Sequence, residues 1–471
     1  MNILCAYNVN VDSVYRVSGI EVSELLKDFE KTQIFEKIEN LPEKILSKSD
    51  FVAGLIYCMK NGCGAEWLIL EQAVFEFLKN RYFEKSLVRM GGNAGIMANA
   101  LAQLEASRVI PNIAVPSKIQ LSLFSGKSIF VPGSEENGSS EKRYTIPGSQ
   151  DPIHFVFDFS KGDTFSLFGT EITVPRENRF IATYDHLNLK LYVNPAFEKY
   201  TRDHASKIDG ALISGFHLLL QKYPDGSSYE TILEKVLHQL KSWKAENEKL
   251  RIHMEFGHFA NKEIAASVFL KVAPVTDSIG MNEDELASLY NLHGVPEEEI
   301  RLMEAEAVGK AVYKLALPHR LKKIVIHTRE FVLIAFKPNI DSTADFLSLQ
   351  ELRDLESSSF QKIAGKKLEA LRFGVSCAGA YASSGKLKGR KFVEREASKL
   401  HESAFGIKQL EIFLKAFNGQ VLGQGAYALY GEYILCMLPT LLSNNPITTV
   451  GLGDTIAAGI FLRELELDVQ A

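Results

Sequence analysis

The segment Gly451-Leu452-Gly453-Asp454-Thr455 combines two glycines, an acid and the start of an apolar run. Glycines in such a turn let main-chain N–H groups close on an anion, and a helix that follows points its positive end at the same charge. Asp454, at that helix start, would accept the proton of an attacking hydroxyl, the part a positioned carboxylate takes in phosphoryl transfer. The local string alone also reads as a turn and an ordinary helix cap, so the other polar groups must decide. His253-Met254-Glu255 ends a predicted strand, where alternation puts His253 and Glu255 on one side and lets Glu255 reach the carboxyl edge. Asn282 and Glu285 stand three apart in the first turn of the next predicted helix, on one face. Carboxylates so placed could hold magnesium, directly or through water, against donor phosphates. A capping box and a structural His-x-Glu pair are the plain alternatives.

A second set lies toward the amino end. The run Asn2 to Asn10 reads as a buried strand that delivers Asn8, Asn10 and then Asp12 to its carboxyl edge. Gly91-Gly92-Asn93-Ala94-Gly95 is a glycine turn into an Ala-rich helix, Ile96 to Leu104. These groups suit the hydrogen-bonding of hydroxyls, with turn residues as the local alternative. A P-loop is not available, because Leu121 stands where Gly126-Lys127-Ser128 would need its upstream glycine, and the fragment reads as a hairpin.

The elements that must position these residues follow a βα rhythm from Ala205 onward: strands at 210–213, 252–256, 278–280 and 323–327 alternate with helices at 229–250, 262–270, 283–290 and 297–316. That rhythm predicts a doubly wound, mostly parallel sheet with its site at the carboxyl ends of the strands. Residues 22–59 and 72–80 read as helices. Between Gln120 and Tyr192, short strands at 128–131, 153–159, 164–168 and 180–184 predict a small inserted β-rich lid. The tail, Thr448 to Leu467, reads as a strand end, a glycine turn and a final helix.

With 471 residues, 46% hydrophobic and 24% charged, the chain can bury a large core and one smaller unit. A net charge of −5 and a pI near 6.2 give no overall reason to bind nucleic acid or anionic membrane. Small molecules are the expected ligands. Cys5, Cys58, Cys63, Cys377 and Cys436 are odd in number and scattered, as reduced thiols of a cytoplasmic protein would be. The start Met1-Asn2-Ile3-Leu4 lacks a signal peptide's pattern, and no apolar run is long enough to span a bilayer.

In order along the chain, the segments Ala6-Tyr7-Asn8-Val9-Asn10-Val11-Asp12, Gly91 to Gly95, Pro175-Arg176-Glu177-Asn178-Arg179-Phe180, Ser214-Gly215-Phe216, His253-Met254-Glu255, Asn282-Glu283-Asp284-Glu285 and Gly451 to Asp454 resemble the ADP-dependent sugar kinases. That family comprises glucokinases and phosphofructokinases, and the resemblance runs nearly end to end. It implies a ribokinase-like α/β fold with a large body mainly at 1–10, 71–119 and 193–471 and a lid mainly at 11–20, 60–70 and 120–192. It further implies ADP as donor, Mg2+ as cofactor and Asp454 as base, with Gly451 and Gly453 at the reacting phosphate and Asp454 close to the metal. Glu255, Asn282 and Glu285 would face the metal. His327, Thr328, Val450, Gly451 and Leu452 would face the nucleotide. Asn8, Asn10, Asp12, Gly91, Gly92 and Asn93 would clasp the acceptor.

For the acceptor itself, fructose 6-phosphate brings a dianion that calls for permanent positive charge. Phe157-Asp158-Phe159-Ser160-Lys161-Gly162 looks like the lid segment in which family phosphofructokinases place a phosphate-binding lysine, here Lys161. Arg176 or Arg179 completes that grip, or one of them faces the donor phosphates. Glu66 matches a glutamate that contacts a glucose hydroxyl in the family, so glucose is expected as a second acceptor. The expectation is thus an ADP-dependent phosphofructokinase, with a glucokinase, an ATP-using kinase of the same fold, or a non-catalytic sugar or nucleotide sensor as rivals. A sensor should have lost the acid or its glycine turn, and this chain keeps both.

Overall fold

The computed structural model describes residues 1–134, 151–291, 297–338 and 357–469. Ten strands form the larger sheet, and six of them run parallel: Arg108–Pro111, Asn2–Ala6, Gly210–Ile213, Arg251–Glu255, Ser278–Met281 and Lys323–His327, in that spatial order. Phe331–Phe336, Tyr433–Pro439, Gly425–Tyr430 and Gln420–Leu422 extend it as antiparallel neighbours. Gly210–Ile213 and Ser278–Met281 at its centre are buried along their whole length, as strands covered on both faces are.

Helices cover both faces. Phe197, Leu233, Val268, Leu286, Val308 and Phe413 bring six helices onto one face. On the other, Met97 and Leu101 of the Asn93–Gln103 helix pack with Cys377, Ala458 and Phe461 of the two long C-terminal helices. The doubly wound α/β body expected from the βα rhythm is therefore present.

A second sheet of six strands is ordered Lys44–Ile45, Ala65–Ile69, Asn178–Tyr184, Ile153–Phe159, Asn10–Arg16 and Leu87–Gly91. Helices Gly19–Leu26, Lys31–Glu39, Lys48–Asn61 and Gln72–Tyr82 bury Val22, Ile34, Phe51 and Phe75 against its Phe157 and Phe180. The expected boundary is corrected here. Residues 72–91 go with this smaller unit, because Leu87–Gly91 pairs antiparallel with Asn10–Arg16 and Tyr82 packs 5.0 Å from the Phe157 ring. Conversely, Ile129 bridges Val109 at the edge of the large sheet, so 126–131 is a turn and a bridge rather than a lid hairpin. The helix expected over 297–316 breaks at Met303, which takes φ 58°, into Glu298–Arg301 and Ala305–Ala316. The strand end expected at Thr448 is not formed: residues 448–450 are irregular before the final helix, Leu452–Val469.

Two crossings tie the sheets together. The chain leaves the large sheet at Ala6 and enters the small one at Asn10, and it leaves the small one at Gly91 and enters a large-body helix at Asn93. Both crossings sit at the carboxyl edge of the parallel strands, where an open α/β sheet binds its ligands.

Candidate active site

Gly451 takes φ +77°, and a Cβ there would stand 3.0 Å from Ile96. The final helix begins immediately after it, leaving the first-turn amides without helical acceptors and so available to an anion. Asp454 lies in this turn, 8% exposed. A chain of hydrogen bonds aims it: Ser214 Oγ donates to Asn8 Oδ1 (2.8 Å), Asn8 Nδ2 to Asn93 Oδ1 (3.1 Å), and Asn93 Nδ2 to Asp454 Oδ1 (2.8 Å). Burial pushes the Asp454 carboxyl up to about 6, with the Glu255 charge adding to the rise and Asn93 and His327 opposing it. A carboxylate poised there is suited to take a proton near neutral pH.

Beside it lies a cavity of about 220 Å3 bounded by both sheets, with Asn8, Asn93, Val450, Gly451 and Asp454 in its wall. The small sheet contributes Asn10, Asp12, Glu66, Arg89, His154 and Arg179. Asn10 Nδ2 donates to Asp12 Oδ1 at 2.9 Å, while Asn10 Oδ1 is buried without a partner. The glycines make this closeness possible. A Cβ on Gly91 would stand 2.1 Å from Asp12 Oδ1, and one on Gly92, at φ +75°, 2.5 Å from the Asn8 carbonyl oxygen. Burial raises the Asp12 carboxyl against the lowering pull of His154 and Arg89.

Glu66 Oε1 accepts from Thr183 Oγ1 at 2.6 Å and stands 3.7 Å from His154 Nδ1. The other ring nitrogen of His154 lies 3.1 Å from Asp185 Oδ2. Although burial opposes charge on this ring, Asp185, Glu66 and Asp12 raise it to about 9, so the cavity holds an imidazolium beside two carboxylates. Neither His154, Arg89 nor His217 was expected as a site residue. The alternation of Ile153–Phe159, with His154, Val156 and Asp158 on one face, carried a signal for the first.

Of the three expected phosphate ligands, only Arg179 lines the cavity, its Nε 3.6 Å from Asp158 Oδ1. Arg176 instead donates from Nε to the Gly62 carbonyl at 3.2 Å, locking the turn before the Glu66 strand. Lys161 is exposed on its turn and is not among the cavity-lining residues.

Beneath the glycine turn, Glu255 is 5% exposed and clamped between two histidines: His253 Nε2 at 2.8 Å from Oε1, and His327 Nε2 at 3.1 Å from Oε2. His253 Nδ1 in turn meets Ser278 Oγ at 2.7 Å. Burial would raise Glu255, but the two histidines overrule it and hold the carboxyl at about 2. His327, opposed by burial but drawn by Glu255, rises to about 9. A Cβ on Gly453 would stand 3.0 Å from His327, so this imidazolium underlies the glycine turn.

Glu285 and Asn282 satisfy each other. Asn282 donates from its backbone N and from Nδ2 to the two Glu285 oxygens, each at 3.0 Å, and Glu285 N donates to Asn282 Oδ1 at 2.9 Å. Burial pushes Glu285 up to about 7, with the Glu255 and Asp454 charges adding to it. Glu255, Asn282, Glu285 and Asp454 are the residues expected to face a metal, directly or through water. Both Glu255 oxygens face histidines, both Glu285 oxygens face Asn282, and among the described residues no three His, Cys, Asp or Glu side chains group as cation ligands. Thr328 is a turn residue whose hydroxyl accepts from the Glu330 and Phe331 amides. Val450 and Gly451 line the cavity, and Leu452 opens the helix.

A glycine turn and a buried acid at a helix start, facing a polar cavity, are the parts that phosphoryl transfer to a hydroxyl calls for. Residues 1–463 match the model of the ADP-specific phosphofructokinase/glucokinase conserved region, and the chain belongs to that family of ADP-dependent sugar kinases. It is 28% identical to the ADP-specific phosphofructokinase of Pyrococcus abyssi, covering 98% of this chain and 97% of the relative. It is 27% identical to the ADP-dependent glucose/glucosamine kinase of the same organism, covering 99% and 94%. The fold matches the crystal structure of a hypothetical ADP-dependent phosphofructokinase from Pyrococcus horikoshii with a TM-score of 0.81 at 24% identity, over 100% and 99% of the chains. An ADP-dependent kinase in complex with fructose-6-phosphate and ADPβS matches at 0.72 and 25% identity, over 98% and 93%. Among the described residues no helix is long and apolar enough to cross a membrane.

Proposed function

We propose that the chain transfers the β-phosphoryl group of ADP to the 1-hydroxyl of fructose 6-phosphate, giving fructose 1,6-bisphosphate and AMP, and that glucose is a second acceptor. The observation that carries the transfer is the Ser214–Asn8–Asn93–Asp454 chain, which joins the acid to the cavity that Asn10 and Asp12 also line. The acceptor hydroxyl loses its proton to Asp454 while its oxygen bonds to the β-phosphorus. The bond from that phosphorus to the bridging oxygen breaks, and AMP leaves with the electron pair. Amides of the 451–454 turn and the His327 imidazolium beneath it offset the charge on the transferring group. Because Asn10, Asp12 and Glu66 stand on the small sheet and the acid on a helix of the large body, approach of the two units assembles the site and excludes water. A divalent ion would neutralise charge on the diphosphate, and Glu255, Asn282, Glu285 and Asp454 are the residues that would hold it, directly or through water.

Fructose 6-phosphate is favoured by Arg179 in the cavity wall and by a relative solved with that sugar. Glucose is favoured by Glu66, whose second oxygen is left for a neutral hydroxyl once Thr183 holds the first. AMP release from ADP is the test, with fructose 6-phosphate and glucose side by side and ATP as control donor. Turnover with ATP alone would refute the donor, and turnover with glucose alone would refute the phosphofructokinase reading. Binding of ADP and sugar without any AMP would favour the sensor.

A further inference from the structure

His217 lies in the short turn Phe216–Leu218 after the Gly210–Ile213 strand and lines the cavity with Asn8, Glu66 and His154. Gly215, at φ +92°, presses this turn against Asn8, where a Cβ would stand 3.0 Å from the Asn8 side chain. The ring is fixed from behind. Its Nδ1 is buried with no hydrogen-bond partner, a Cβ on Gly257 would stand 2.5 Å from that atom, and Phe259 packs edge-on at 6.3 Å. A nitrogen shut in this way cannot be hydrated, and burying it as a bare acceptor costs less than burying an unpaired N–H. The proton therefore belongs on Nε2, the nitrogen left to the cavity. Burial also keeps the ring uncharged, driving its pKa down to about 4, with Glu66 pulling the other way and His154 and His258 reinforcing the drop. The cavity thus contains a neutral, immobilised donor that no protein group uses, and an unpaired group of this kind calls for a ligand.

We propose that His217 is a specificity-determining contact of the acceptor site, donating from Nε2–H to a hydroxyl oxygen of the bound sugar in the cavity where Glu66 accepts from it. The inference rests on the sugar-kinase reading of that cavity. A donor of this type selects by the presence of a hydroxyl rather than by charge, because the analogue lacking it leaves the N–H unpaired.

The test uses the full chain. His217→Phe keeps the ring packing and deletes both nitrogens, and His217→Gln keeps a donor at about the reach of Nε2. His217→Asn withdraws the donor without depending on ring packing. Calorimetric binding of fructose 6-phosphate, glucose and its 1-, 2-, 3- and 4-deoxy analogues is measured with steady-state AMP release and melting temperature. His217→Phe is expected to raise the dissociation constant and KM of the accepted sugar roughly tenfold, the worth of one neutral hydrogen bond, with kcat and the KM for ADP within about twofold. His217→Gln restores most of the loss. One deoxy analogue that is weak on the wild type binds His217→Phe as well as its parent sugar does, since the two deletions remove the same bond. Unchanged sugar binding in folded His217→Phe or His217→Asn overturns the inference alone. So does an equal loss across every analogue, or a fall in kcat with KM unmoved. A wild type that binds neither parent sugar overturns the acceptor reading and the inference with it.

Discussion

Asp454→Asn should make the protein more stable and nearly inactive at once. The wild-type carboxyl is 8% exposed, and burial raises it from an ordinary 3.8 to about 6. A rise of that size corresponds to about 3 kcal/mol of differential interaction between the protonated and ionised forms. The sign follows from linkage. Below 3.8 both folded and unfolded chains hold the proton and the native state incurs no charge-burial cost; between 3.8 and about 6 only the unfolded chain ionises, so wild-type stability falls; above about 6 the deficit is constant. The asparagine amide never ionises, and its Oδ1 can still accept from Asn93. The stability gap between variant and wild type should therefore open from pH 4 to 6 and level off near about 3 kcal/mol, a shift of about 3 °C in melting temperature for a chain of this length. Urea unfolding at pH 4, 6 and 8 measures the gap, and AMP release at saturating acceptor measures the chemistry. Loss of a general base predicts a fall of about 10²- to 10⁴-fold in kcat. A pH-independent gap would refute the raised carboxyl, and near-normal turnover in a stabilised variant would refute Asp454 as the base.

Arg179→Met should weaken fructose 6-phosphate by about 10- to 100-fold, the range for a charge-assisted contact, and leave glucose nearly unchanged; steady-state kinetics with both sugars reads it. Glu66→Ala should show the converse by the same assay, since it deletes an acceptor that a neutral sugar uses. Glu255→Gln removes the charge that holds His327 at about 9, so the His327 proton resonance should titrate lower by NMR. The stability that the Glu255–His327 pair supplies to the wild type is lost as pH falls from 4.5 toward about 2 or rises from 6.5 toward about 9; both losses should shrink in the variant. Gly92→Ala should cost about 1–3 kcal/mol from the positive φ alone, and more from the 2.5 Å approach to the Asn8 carbonyl oxygen, read by thermal melting.

The parallel core was legible because its strands are buried on both sides and alternate with helices of ordinary period. Gly451 to Asp454 was legible for a related reason, since positive φ and a helix start leave glycine and an acid in fixed order. Membership of the smaller sheet was not. Leu87–Gly91 follows a long helix in sequence yet pairs with Asn10–Arg16, and no local pattern states which distant strand an edge will find. The same lack of local signal hid Arg89 and His217, whose role depends on which surfaces face each other across the cavity. Lys161 is a different case: its type and turn suit a phosphate, and it is exposed on that turn without being among the cavity-lining residues.

Glu255 and Glu285 stand where local pattern puts them. Alternation put His253 and Glu255 on one side, and helical spacing put Asn282 and Glu285 on one face; both placements hold, and each pair is hydrogen-bonded internally. The consequence is electrostatic. By formal charge the donor end would oppose an anionic diphosphate with three carboxylates. In the fold, Glu255 is balanced by the His327 imidazolium, while Glu285 and Asp454 are drawn up to about 7 and about 6. Burial thus reduces the charge that Glu285 carries near neutral pH, while Asp454 stays largely ionised there and able to accept a proton. On the proposed reading, the His327 imidazolium beneath the glycine turn and the raised carboxyl of Glu285 lessen the negative charge that a diphosphate would meet there.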